Sequence, residues 1–181
     1  MLEVELKFRV ADEAALSERL GLLGARSAGL ESQRDAYFNH PARDFAETDE
    51  ALRIRTIGMA STVTYKGPVL GTKAKSREEL ECGVADVATF SQVLVRLGFR
   101  PTLLVEKERR HLELEWDGRA ATICLDRVTG LGLFCELELL ATKEDREAAE
   151  RSIWSLATRL GLNEVERQSY LEMLLEKVQK N

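Results

Sequence analysis

The sequence predicts an α+β fold dominated by antiparallel sheet, eight or nine strands closed into a barrel with helices packed outside. Three observations predict it. Strand-like segments follow one another through short turns, each alternates apolar with polar residues, and the polar positions repeatedly carry acids and bases together. Solvent-facing strands tolerate loose polar mixtures, whereas here ExE and RxR or KxR units recur. Closure with the charged face inward gives that repetition a physical purpose and removes exposed strand edges.

The first strand, residues 2–10, places Glu3, Glu5, Lys7 and Arg9 on one face and Leu2, Val4, Leu6, Phe8 and Val10 on the other. Residues 12–23 read as a helix, with Asp12 as cap, Leu16 and Leu20 in its apolar stripe and Gly24 at its end. A short strand follows at 35–39 and a loop at 40–50. In the strand 51–57, Leu52 and Ile54 oppose Arg53 and Arg55. A turn at 58–61 leads into the strand 62–66, which Gly67-Pro68 terminates. A basic stretch with Lys73, Lys75 and Arg77 enters the strand 78–84, where Glu79 and Glu81 share a face, and a helix over 86–97 closes at Gly98.

Two strands are read at 103–110, with Lys107 and Arg109 on one side, and at 111–116, with a turn at Arg110 between them. Asp117-Gly118 is a hairpin signal. Strands at 120–128 and 134–140 present Asp126, Glu136 and Glu138, and helices over 144–160 and 164–177 end the chain. Cys82, Cys124 and Cys135 lack zinc-knuckle or CxxC spacing and read as strand-packing residues.

With 181 residues, 44% of them hydrophobic, the chain suits one domain spanning residues 1–181, its helices at about 144–179 packing on the barrel. The net charge of −5 argues against a nucleic-acid partner, because affinity for a polyanion rests on clustered Lys and Arg. No apolar run has the length of a membrane span and no signal-peptide pattern opens the chain, so a cytoplasmic, membrane-free protein is expected. A barrel lined with both signs suits a polyphosphate bound with a divalent cation. Arg and Lys grip phosphate oxygens, and carboxylates supply hard ligands for Mg²⁺ or Mn²⁺. The segment 67–73 is not a P-loop, since only three residues separate its glycines.

These residues resemble the CYTH, or triphosphate tunnel metalloenzyme, family. Its ExExK signature stands at Glu3-Val4-Glu5-Leu6-Lys7, and later motifs are similar to Leu52-Arg53-Ile54-Arg55, Thr64-Tyr65-Lys66-Gly67-Pro68, Val105-Glu106-Lys107-Glu108-Arg109, Leu125-Asp126-Arg127-Val128, Gly130-Leu131-Gly132, Glu136-Leu137-Glu138 and Ser169-Tyr170, in order. The first strand, the Tyr65-Lys66-Gly67-Pro68 segment and residues 125–132 look most like the class IV adenylyl cyclase branch. The resemblance implies a closed eight-stranded antiparallel tunnel that binds ATP or another triphosphate with Mg²⁺ or Mn²⁺, and a homodimer. Class IV cyclisation of ATP to cyclic AMP is the leading expectation. The alternatives are a triphosphatase acting on inorganic, thiamine or nucleoside triphosphate, and a non-catalytic polyphosphate or nucleotide sensor.

Carried over by motif, Glu3, Glu5, Glu136 and Glu138 are the implied metal ligands. Lys7, Arg53, Arg55, Lys66, Arg77, Lys107 and Arg109 are the implied triphosphate ligands. Lys7 and Tyr37 are catalytic candidates, Lys7 for activating the nucleophile and Tyr37 for orienting or deprotonating water, with packing as the alternative for Tyr37. Glu79, Glu81 and Asp126 are assigned either to metal or to lumen salt bridges. Ser169 and Tyr170 are read as helix packing, with a lid contact as the alternative, and His40 and His111 are not taken as general bases.

Overall fold

A computed structural model describes residues 2–68 and 78–180. It contains β1 (Leu2–Arg9), α1 (Glu13–Leu22), β2 (Arg26–Asn39), α2 (Phe45–Thr48), β3 (Ala51–Ile57), β4 (Ala60–Lys66), β5 (Glu79–Gly83), α3 (Val87–Arg96), β6 (Arg100–Trp116), β7 (Arg119–Val128), β8 (Gly132–Ala141), α4 (Arg146–Leu160) and α5 (Tyr170–Gln179). The eight strands form one antiparallel sheet in the order β1-β8-β7-β6-β2-β3-β4-β5. Lys73, Lys75 and Arg77 lie outside the described residues.

Register sorts the sheet into two chemically distinct faces, because cross-strand partners point to the same side. Lys7 stands opposite Glu136 and Glu5 opposite Glu138; Arg109 faces Asp126, Asp35 faces Arg55, and Lys66 faces Glu79. The other face is apolar and carries the helices. Ile153, Leu156 and Leu160 of α4 and Leu16 and Leu20 of α1 pack on Val4, Leu6, Phe8, Ile123, Leu125, Leu137 and Leu139. Leu94 and Phe90 of α3 cover Phe38, Ile54 and Val63 farther along.

The charged face is concave. Glu3 on edge strand β1 senses the charges of Glu79 on edge strand β5 and of Lys66 on β4, so the two ends of the sheet approach each other. Among the described residues no ladder joins β1 to β5. The closed barrel expected from the sequence is therefore observed as a curled, eight-stranded sheet.

Three further differences have physical causes. β2 begins at Arg26, nine residues before the expected strand. Its first half shows no apolar alternation because Leu30, Ser32 and Arg34 face solvent on one side while Glu31 and Gln33 join the charged face on the other. β6 runs unbroken through Arg110, which hydrogen-bonds Ser17 of α1 at 3.2 Å instead of turning. Residues 164–169 are not helical. Val165 bridges Phe8, the Glu166 amide donates to the Lys7 carbonyl at 2.7 Å, and α5 starts only at the Ser169/Glu172 capping box.

Helix α5 is also not outside the sheet. Tyr170 and Met173 pack on Val105, Val128 and Phe134, which share the face of Asp126 and Lys107. The helix closes over one end of the concave surface.

Candidate functional site

The strands place Lys7, Lys107, Arg109, Asp126 and Glu136 together at the α5 end of the concave face. Asp126, 0% exposed, accepts from Lys107 Nζ at 2.7 Å, from Arg109 Nε at 2.7 Å and Nη2 at 2.5 Å, and from the Tyr170 hydroxyl at 2.9 Å. Arg109 also donates to Glu136 and lies 3.9 Å from Glu138. The Tyr170 ring sits beneath two ammonium groups, with Lys7 Nζ 4.5 Å and Lys107 Nζ 4.9 Å from its centroid.

A second centre stands on β2 and β3. Asp35, 2% exposed, accepts two hydrogen bonds from Arg55 at 2.6 and 2.7 Å, and Arg53 lies 3.6 Å away. Nε of Arg53 is buried without a hydrogen-bond partner. Lys66 donates to Glu79 at 2.5 Å, and Thr64 donates to Glu81 at 2.7 Å. These pairings put Asp126 and Glu79 in salt bridges on the concave face and give Glu81 a neutral partner.

Burial raises the carboxyl pKa values of Glu3 and Glu138, and neighbouring carboxylates raise them further. Glu138 is pushed up to about 8, by burial first and then by Glu3, with Glu136 and Glu5 adding to it. Glu3 is raised by burial and by Glu79. At Asp126 burial opposes ionisation, but the hydrogen bonds from Arg109 and the Lys107 charge outweigh it and hold the pKa at about 2. Glu136 is likewise lowered against its burial by Arg109 and Lys107. Burial and the Arg109 charge push Lys107 down. Tyr37 is raised by burial, so its phenol stays protonated at neutral pH and is suited to donate a hydrogen bond.

A carboxyl that stays protonated in the fold and ionises when unfolded makes stability fall as pH rises. For Glu138 the folded state holds the extra proton between its unfolded value, near 4.5, and about 8, so this contribution is present below pH 4.5 and gone above 8. A divalent cation competes with that proton. Chemical unfolding across pH 5–8.5 is expected to show a stability decline that Mg²⁺ or Mn²⁺ flattens and that Glu138→Gln reduces; identical profiles for wild type and variant would remove the assignment.

The donor set fits both ligand classes. Six cations, Lys7, Arg53, Arg55, Lys66, Lys107 and Arg109, line the concave face with one orphaned guanidinium N–H, which suits phosphate oxygens. Glu3, Glu5, Glu136 and Glu138 crowd carboxylates on adjacent strands, a hard-oxygen set for a divalent ion. Among the described residues no three His, Cys, Asp or Glu side chains already converge as in a loaded metal site.

A scan of family models matches residues 1–170 to the CYTH domain. The chain belongs to the CYTH family. A Methanocaldococcus jannaschii protein named putative adenylate cyclase is 38% identical over 176 residues, covering 96% of this chain and 98% of its own. A protein of solved structure from Pyrococcus horikoshii OT3 superimposes with a TM-score of 0.85 at 40% identity, covering 97% of this chain and 99% of its own. A Hippeastrum protein, a putative adenylyl cyclase described as having a dominant triphosphatase activity, shares the fold at 17% identity and a TM-score of 0.66, covering 98% of this chain and 96% of its own. No helix of this CYTH protein, among the described residues, is long and apolar enough to cross a membrane.

Several functional residues were not expected from the sequence. The sequence places Asp35 in a strand without assigning it a role, and its parity with Tyr37 marks it for the charged face. Continuity of β6 puts His111 on that face beside Cys124, which is 1% exposed there; Cys135 packs in the apolar core, and Cys82 is exposed. Tyr170 packs as a helix residue should, and also contacts the charged cluster.

Proposed function

We propose that the curled sheet completes a tunnel and that this CYTH protein is a metal-dependent adenylyl cyclase of class IV type, converting ATP to cyclic AMP and pyrophosphate. The observation that carries the reading is the single concave face on which six cations stand beside a stripe of glutamates. The name carried by the 38%-identical relative supports the cyclase branch.

In this reading Arg53, Arg55, Lys66, Lys107 and Arg109 bind the triphosphate and neutralise charge that develops on the departing pyrophosphate. The ribose 3′-oxygen bonds to the α-phosphorus as the bond to the bridging oxygen breaks, and the hydroxyl proton passes from the nucleophile to solvent. Lys7 is assigned to phosphate contact or to activating that hydroxyl. Glu3, Glu5, Glu136 and Glu138 would hold Mg²⁺ or Mn²⁺, which supplies Lewis acidity and lowers the hydroxyl pKa when bound. Tyr37 donates a hydrogen bond that orients the nucleophile, and Arg77, outside the described residues, is assigned to the same phosphate set. Cytoplasmic location and a homodimer belong to this proposal.

The second reading uses the same face for hydrolysis, with water attacking the terminal phosphorus; the triphosphatase activity of the Hippeastrum protein favours it. Incubation with ATP, inorganic triphosphate or thiamine triphosphate in Mg²⁺ or Mn²⁺, with products identified by mass, separates the readings. Cyclic AMP and pyrophosphate are expected. Orthophosphate with a diphosphate product overturns the cyclase in favour of the triphosphatase, and no product from any substrate leaves a sensor.

Arg55→Ala removes a guanidinium that makes two charge-assisted hydrogen bonds, so titration calorimetry is expected to show inorganic triphosphate binding weakened about 10- to 100-fold. Unchanged affinity in a folded variant would take Arg55 out of the phosphate set.

A further inference from the structure

Beside the hard-ligand stripe lies a constellation of softer donors. His111 Nε2 is 3.1 Å from Glu31 Oε1, His111 Nδ1 is 3.6 Å from Cys124 Sγ, and that sulfur is 3.8 Å from Glu138 Oε1. The Glu31 carboxylate favours the ring proton on Nε2, which leaves the Nδ1 lone pair turned to the sulfur. A carboxylate behind a histidine is the usual outer support of a metal-ligating imidazole. A tetrahedral zinc ion with bonds of about 2.3 Å to sulfur and about 2.0 Å to nitrogen separates those two atoms by about 3.5 Å. The Cys124–His111 spacing is already at that value.

We propose that Cys124 and His111 form a binding site for a thiophilic divalent ion, Zn²⁺ or Cd²⁺. Glu138 swings in as third ligand and Glu31 holds the imidazole. On binding, the Cys124 S–H bond breaks and a sulfur–metal bond forms; the thiol proton and the proton that Glu138 holds in the free protein both pass to solvent, and no electron is transferred. The ion approaches from the concave side, where His111, Glu31 and Glu138 are each partly exposed, and reaches Cys124, 1% exposed, behind them. Arg109, 3.9 Å from Glu138, is the cation that opposes it, offset by the carboxylates of Glu31 and Glu138 and by the thiolate. Metal binding at Cys124 and His111 requires no triphosphate. Its consequence for turnover rests on the proposed function: drawing Glu138 out of the hard-ion set makes Zn²⁺ an inhibitor in the presence of Mg²⁺.

Titration of the chelator-treated full chain with Co²⁺ is expected to give a thiolate-to-metal charge-transfer band, and equilibrium dialysis with Zn²⁺ is expected to give one tightly held ion per chain. Cys124→Ser should abolish the band, His111→Ala should weaken binding more than 10-fold, and Cys82→Ser, on exposed β5, should change nothing. In the wild type, Zn²⁺ should also slow alkylation of Cys124. Absence of the band, its persistence in Cys124→Ser, or alkylation indifferent to Zn²⁺ overturns the site and leaves an S–H···N hydrogen bond in its place. A thiolate band in a protein that turns over no triphosphate supports the site while the functional reading falls. Turnover without the band does the reverse.

Discussion

Asp126→Ala is expected to destabilise the ligand-free protein by about 3–5 kcal/mol, because it leaves two buried cations without their shared anion. Lys107 and Arg109 are 5% and 8% exposed, and Asp126 is the carboxylate that both of them contact. The Tyr170 hydroxyl loses its acceptor as well. For a chain of this size the loss corresponds to a fall in melting temperature on the order of 10 °C. Inorganic triphosphate should recover part of it, since phosphate oxygens replace the missing anion. The same carboxylate sets an acid limit. Its pKa is depressed to about 2 from an ordinary 3.8, so its stabilisation is present above pH 3.8 and disappears as pH falls toward 2. Melting within about 1 kcal/mol of the wild type would show that the cluster does not depend on Asp126.

Glu3→Gln and Glu5→Gln are each expected to lower metal-dependent turnover on the order of 100-fold or more while leaving the fold intact. The substitution keeps shape and removes one carboxylate charge, and Glu3 stands on edge strand β1, outside the apolar core. Inorganic triphosphate binding without metal should persist or tighten, because a negative charge has left the lining. Steady-state rates at saturating Mg²⁺ or Mn²⁺, set beside calorimetric affinities without metal, separate the two effects. Wild-type turnover in both variants would sink the metal assignment.

Which side chains share the concave face was readable because strand geometry has a period of two, and β1, β7 and β8 alternate cleanly from Val4 to Phe8, Ala121 to Leu125 and Cys135 to Leu139. What those side chains touch was not readable. Asp35 meets Arg55 only through the β2–β3 register, and Lys107 shares Asp126 with Arg109 only because β6 passes β7 in one frame. The first half of β2 stayed hidden because both of its faces are polar or exposed, so no burial pattern marked it. The start of α5 was misplaced because apolar Val165 reads as helical periodicity while it bridges Phe8; the Ser169/Glu172 pair was the correct signal. The placement of Tyr170 against the lumen depends on where the chain returns after α4, which no local pattern encodes.

Asp35, Asp126 and Glu136 already occupy the guanidinium and ammonium groups of the free protein. A ligand therefore does not land on bare positive charge; it must displace resident anions, as in an ion exchanger. A singly charged phosphate trades one weak contact for another and gains little. A chain of linked phosphates engages several cations at once, and its second and third exchanges occur at the high local concentration set by the first. Such a lining discriminates by the number of charges carried on one molecule, which favours long polyanions over orthophosphate before any organic group is recognised.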